Sequence, residues 1–229
     1  MKVPSSRKRP TPRGPAAKRA RTNAEITAET RAQLLAVGRR LFAANGWAET
    51  SADALGAAAG LTRGALHYHF GDKRGLFVAV TEQILRELVA DLARDTMKGM
   101  PAGTAELERG AALLLEAYGR PEIQRILLRD GPQVLGWQQW LAVQEQSGLA
   151  ALLDHALAHW VEAGWIERRS VEPTRRLLFG ALVHAGVAIA EAADRKAALA
   201  QFREPLRRLV RGLAPLRGVP ASRRRRVSG

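Results

Sequence analysis

Apolar residues recur at three- and four-residue spacing along most of the 229-residue chain, and period-two alternation is almost absent, which predicts an all-helical protein. Ile26, Leu34, Val37, Leu41 and Phe42 give a helix over about Ala24 to Asn45 one apolar face, and Asn45-Gly46 ends it in the left-handed conformation. Thr50 or Ser51 caps a short second helix that stops at Gly60, with Asp53 near its positive end. Thr62 caps a third, reaching about Phe70, and Asp72 caps a fourth whose face is Leu76, Phe77, Val80, Ile84 and Leu88. Gly99-Met100-Pro101-Ala102-Gly103 is a break, after which Thr104 opens a helix to Tyr118. Pro121 suits the first turn of a short helix ending near Asp130. Gly131-Pro132 opens a long helix, bent at Gly148, that ends at a glycine cap, Gly164. Pro173 starts the next helix, through Leu177, Leu178, Leu182 and Val187, and the last spans about Ala197 to Leu213. The expected fold is all-α, with about nine helices: a three-helix N-terminal unit on a larger helical body.

The stretch from Thr50 to Lys73 carries the chemistry. Two short helices joined by a tight turn at Gly60, the second bearing polar and basic groups, read as a helix-turn-helix. The first turn of its second helix presents Thr62, Arg63, Gly64 and Ala65. Arg63 has the fork geometry to read a guanine edge, a pairing worth about 1–3 kcal/mol of discrimination, and equally suits a phosphate. Gly64 lets the backbone approach DNA, and Ala65 offers a methyl contact to thymine. His67, Tyr68 and His69 follow on the same short helix, Tyr68 and His69 as donors to phosphate. Lys73 is a point charge for the backbone, and Thr50 and Ser51 offer hydroxyl and N–H groups at the start of the second helix. Leu55, Leu61, Leu66 and Phe70 are expected in the core beneath. The alternative for each polar residue is a cap or a solvated surface group.

These residues also resemble the TetR family of bacterial repressors. The family pattern of small residue, Gly, apolar, Ser/Thr, any, Gly, any, Leu, Tyr, any, His, Phe, any, any, Lys is met by Ala59, Gly60, Leu61, Thr62, Gly64, Leu66, His69, Phe70 and Lys73. His67 stands where the family has Tyr, and Gly56 where Ala is commoner. The resemblance is specific over residues 27–77 and general beyond. It implies a homodimer that pairs its last two helices into a four-helix bundle, and a body that binds a small effector and respaces the two heads on a palindromic operator. Candidates for the dimer face are Leu178, Leu182, Ala185, Ile189, Phe202, Leu206, Leu209 and Val210, with Gly180, Ala181, Ala185 and Gly186 permitting close helix approach. The alternative is that some of these residues face the protomer's own core. Tyr118, Trp137, Trp140, Phe179 and His184 are candidates for lining an apolar effector pocket; the plainer reading makes each a core residue.

Charge refines the domain plan. Thirteen of the fourteen net positive charges fall in two Pro-, Arg-, Ser- and Gly-rich tails, eight basic residues in 1–23 and five in 215–229, neither with an acid. Both are expected to be disordered. The division is therefore a basic arm over 1–23, the helix-turn-helix domain over 24–72, a ligand-binding and dimerisation domain over 73–214, and a basic tail over 215–229. Basic arms can track phosphates or enter a minor groove, so a non-specific architectural DNA-binding protein is the competing expectation. There is no cysteine, no apolar run of membrane length and no apolar N-terminal signal segment, which fits a bacterial cytoplasmic protein. No nucleophile–base pair, phosphate loop or convergent carboxylates point to an enzyme, and no cofactor is expected. His155 and His159 share a helical face, yet without cysteine or a third ligand in evident register no metal site is expected.

Overall fold

The computed structural model describes residues 22–96 and 103–213. The expected basic arm and tail lie outside the described residues, except for Thr22 and Asn23 at the inner end of the arm. Among the described residues every regular element is a helix.

Helix α1 (Asn23–Asn45) starts at a capping box: the Thr22 hydroxyl accepts the Glu25 N–H at 3.2 Å, and the Glu25 carboxylate accepts the Thr22 N–H at 2.7 Å. Its C-terminal N–H, on Gly46, donates to Phe42 at 2.9 Å. Gly46 takes φ +84° with an extended ψ, a conformation for glycine but not the left-handed helical one the sequence suggests. Ser51 caps α2 (Ala52–Ala58), the chain turns at Gly60 with φ +63°, and Thr62 caps α3 (Arg63–Phe70). Asp72 accepts the Gly75 N–H at 2.7 Å and opens α4 (Lys73–Thr96). A Cβ on Gly75 would lie 1.9 Å from the Phe70 carbonyl oxygen, so only glycine allows α3 to abut α4 so closely.

Leu34, Phe42, Leu55, Leu66, Leu76, Phe77 and Val80 form the core of the head, each at most 2% exposed. Phe77 meets Phe42 and Trp47 edge-on, with ring centroids 5.2 and 5.3 Å apart. The first turns of α4 thus belong to the head, while Ile84, Leu85, Leu88 and Leu92 continue the same helix into the body core. One rigid element spans both units.

In the body, α5 (Thr104–Tyr118) packs against α4, and α6 (Pro121–Ile123) runs on through a π-helical stretch, Gln124–Asp130, into α7 (Gly131–Leu135). Pro132 explains part of this widening: it lacks an N–H for the Leu128 carbonyl. The Gly131 N–H reaches back five residues to Ile126, and the Leu127 carbonyl is left to accept the Trp140 indole N–H at 2.8 Å. The long helix expected from Gly131 to Gly164 is instead three: α7, α8 (Trp137–Gln146) and α9 (Leu149–Glu162). They are separated at Gly136 and Gly148, whose φ values are +76° and +94°. A 3₁₀ turn (Arg168–Ser170) precedes α10 (Val171–Glu191), and α11 (Arg195–Leu213) packs against α5 and α10.

Candidate nucleic-acid interface and effector cavity

Capping and core packing together aim α3 outward. Leu66 is buried beneath it, and Phe70 is partly buried under the Arg31 guanidinium, 5.1 Å from the ring centroid. That leaves Thr62, Arg63, Gly64, His67 and Tyr68 exposed on the opposite side, with Ala65 and His69 at its edge. Arg63 has a 75% exposed side chain and only a loose approach to Asp53 at 3.9 Å, so its guanidinium is available to a partner. Tyr68, 78% exposed, packs edge-on against His69. A Cβ on Gly64 would meet only the Thr62 hydroxyl, at 3.6 Å, leaving the backbone there open to close approach. Ser51 is exposed, with its hydroxyl accepting the Ala54 N–H at 3.0 Å.

Two expected phosphate contacts are placed differently. Thr50 is 1% exposed, and its hydroxyl donates to the Gly46 carbonyl at 2.7 Å. Its N–H is also taken, by Trp47 at 3.3 Å. Thr50 therefore fastens the loop between α1 and α2 and is withdrawn from the interface; as neighbours, Thr50 and Ser51 look equivalent in sequence until that loop is folded. Lys73 is partly buried, its ammonium 3.9 Å from the Trp47 ring centroid and donating to the Trp47 carbonyl at 3.0 Å. Burial pushes this amine below the usual lysine range.

Polar links join head to body, among them Arg74 in the first turn of α4, which donates to the Val134 carbonyl at 3.3 Å and to the Gln139 side chain at 2.6 Å. Arg39 on α1 donates to Glu122 at 2.6 and 2.9 Å and to Glu87 on α4 at 2.6 Å. Arg125 in the π-helical stretch donates to the Asn45 carbonyl at 2.7 Å, and Asp130 accepts the Trp47 N–H at 2.7 Å. A Cβ on Gly46 would come within 2.6 Å of the Arg125 guanidinium, which would have to shift.

The body holds an open cavity of about 510 Å³ between α7, α8, α9 and α10. Trp137, Trp140, Phe179 and His184 line it together with Leu128, Leu141, Gln144, Val183 and Arg175. Trp137 and Trp140 stack with centroids 4.9 Å apart, Trp140 buried and Trp137 at 59% exposure. The Gln144 side-chain N–H₂ is buried at the cavity with no hydrogen-bond partner among the described residues. Arg175 pairs with Glu145 at 3.4 Å and Asp154 at 3.1 Å. Gln144 and Arg175 are polar groups that aromatic patterning alone does not reveal. Tyr118 does not line this cavity: it is 1% exposed and packs on Gly186, where a Cβ would come within 2.8 Å of its ring. Burial raises its phenol above the usual tyrosine range.

The expected dimer face also needs correction. Leu178, Leu182, Ala185 and Ile189 of α10 and Val210 of α11 are buried within the protomer, each at most 8% exposed. Gly186 and Ala185 likewise serve the protomer's own packing, while Gly180 is exposed. Phe202 and Leu206 are partly buried, and Leu209 is 46% exposed. Leu177, at 74%, is the large apolar side chain that α10 presents outward, one residue from the expected Leu178. Apolar residues nearly surround α10, so periodicity did not distinguish its inner side from its outer one.

Where α5 meets α9, His159 Nδ1 lies 3.1 Å from Glu106, and the His155 ring is 4.8 Å from that of His159.

An exposed helix-turn-helix, sharing one long helix with a cavity-bearing helical body, defines the class of helix-turn-helix regulators. A family model described as bacterial regulatory proteins, tetR family, matches residues 34–80, and one described as Tetracyclin repressor-like, C-terminal domain, matches 104–213. A TetR-family transcriptional regulator from Pectobacterium atrosepticum, solved by crystallography, is 37% identical with a TM-score of 0.72, covering 86% of this chain and 99% of that one. The chain belongs to the TetR family. The HTH-type transcriptional regulator AcrR of Shigella flexneri is 32% identical over 110 residues, 48% of this chain and 51% of that protein. The chain thus spans about half the length of the curated relatives it matches. FadR of Thermus thermophilus, a repressor solved with lauroyl-CoA, shares the fold at 22% identity and a TM-score of 0.64, covering 83% of this chain and 97% of that one.

Proposed function

We propose that this chain is a homodimeric, sequence-specific DNA-binding repressor whose grip on a palindromic operator is released by a small apolar or amphipathic effector. The observation that carries the reading is the outward face of α3, where Arg63, Gly64 and Tyr68 stand exposed above a buried Leu66. Arg63 reads a base, and His67, Tyr68, His69 and Ser51 position the phosphate backbone. One head offers few contacts, so two heads held at fixed spacing supply the affinity. The body from α4 onward binds the effector and pairs the protomers, through Leu177, Gly180 and Leu209 on the outer sides of α10 and α11.

The aromatic cavity suits a flat or extended apolar body, and the Gln144 amide calls for a hydrogen-bond acceptor on it. A relative solved with an acyl-CoA supports an amphipathic ligand of that kind. An effector releases DNA only by preferring the conformation whose heads misfit the operator.

The test is fluorescence anisotropy at physiological salt, with the promoter region flanking the coding sequence and excess competitor DNA. Full-length protein is compared with residues 22–213, which keep the Thr22 cap. Retention of one palindromic site by the shorter chain supports the repressor. Binding that vanishes with the tails and ignores sequence supports the architectural alternative instead.

A further inference from the structure

We propose that Glu106, His155 and His159 form a binding site for a divalent transition ion of the Zn(II) class, clamping α5 to α9. The two imidazoles are four residues apart on α9, so they project from one face, one turn above the other. The carboxylate arrives from a helix 53 residues away in sequence. One ligand atom from each of the three side chains lies within 4.8 Å of the others. The Glu106–His159 separation of 3.1 Å is already close to the edge, roughly 3.4 Å, of a tetrahedron whose ligands stand at 2.0–2.2 Å from the ion. Only the His155 side chain has to swing inward, and as an exposed residue it is free to do so.

The donor set selects the metal class. Two imidazole nitrogens and one carboxylate suit Zn(II), Co(II) or Ni(II), whereas Mg(II) and Ca(II) require oxygen ligands. Three protein ligands leave a fourth position, which exposed His155 puts in reach of water. Glu106 and His155 also border a second, apolar cavity of about 250 Å³, which Leu92 of α4 and Leu182 of α10 help to line. The ion would therefore sit at the rim of a cavity bounded by the helix that carries the head. Fixing α5 against α9 stabilises the folded body by mass action, since the three ligands converge only there.

The experiment uses the full-length, untagged chain, stripped with a chelator, titrated with Zn(II) by calorimetry and with Co(II) by visible absorbance. One ion per chain is expected, with the intense visible bands of four-coordinate Co(II), together with a rise in melting temperature on Zn(II) addition. His155→Ala and His159→Ala should each weaken binding by more than the roughly 10–100-fold that loss of an outer-shell partner costs. Glu106→Gln should weaken it at least about tenfold, because the amide keeps the size but loses the charge. His67→Ala/His69→Ala, which removes the histidines of α3, should bind as the parent does. Circular dichroism without metal checks each variant, and His155→Ala, altering an exposed residue, keeps the test independent of folding. Absence of stoichiometric binding overturns the proposal. So does binding that Glu106→Gln leaves unchanged, the mark of a two-imidazole surface chelate, and so does binding lost with His67 and His69.

Discussion

The Asp130 carboxylate accepts the Trp47 backbone N–H at 2.7 Å, joining residues 83 positions apart. Trp47 lies just beyond the end of α1, and Asp130 ends the π-helical stretch whose Leu128 faces the cavity. Within that stretch, Arg125 holds the Asn45 carbonyl and the Leu127 carbonyl receives Trp140. A single irregular segment therefore touches the cavity on one side and the head on the other. Hydrogen bonds to charged groups contribute about 1.5–3 kcal/mol, so Asp130→Ala should lower urea-unfolding stability by that order, and Asp130→Asn should recover part of it. Equal stability of parent and Asp130→Ala would show that the link does not hold the head.

Gly64→Ala isolates the interface from the fold. A methyl group there meets nothing closer than 3.6 Å within the protein, so the melting temperature should rise slightly or stay level. Operator affinity should fall if DNA approaches the Gly64 backbone; unchanged affinity would remove that approach.

Arg63→Ala and Lys73→Ala should separate by their response to sequence. The first should relax preference at one base position per half-site, by about 1–3 kcal/mol, in a panel of single-substituted operators. The second should leave operator preference unchanged and cost about 0.5–2 kcal/mol of stability, since its ammonium lies over the Trp47 ring. Altered preference or full stability in Lys73→Ala would contradict the second half.

The two cavity tryptophans should behave differently. Trp140 is buried and hydrogen-bonded to Leu127, so Trp140→Ala should destabilise by about 3–5 kcal/mol. Trp137 is largely exposed, and Trp137→Ala should leave unfolding within about 0.5 kcal/mol of the parent. Its effect should appear instead in binding of an apolar anionic fluorophore such as anilinonaphthalene sulfonate, measured by emission. Unaltered dye binding would take Trp137 out of the pocket.

Leu177→Arg and Leu209→Glu should give folded monomers by light scattering and circular dichroism, because both side chains point out of the protomer. Leu178→Arg should instead prevent folding, placing a charge where 2% of the residue is exposed. A dimer persisting in both outward variants would move the interface elsewhere.

The helical periods, the caps at Ser51, Thr62 and Asp72, and the glycine at Gly60 are local signals, and they sufficed for the fold class, the helix-turn-helix and the outward set on α3. Such signals act over three or four residues, the range of a helical turn. Longer-range arrangements decided the rest. Whether Thr50 or Ser51 faced outward depended on a carbonyl at Gly46, and whether Leu177 or Leu178 faced inward depended on where the body lay against α10. The break at Gly136 goes with a long-range contact, the Trp140 indole on a carbonyl freed by the π-helical stretch. Glu106 came to His159 only because α5 and α9 pack together; the sequence alone shows two histidines on one face, and tertiary packing brings the carboxylate that makes them three.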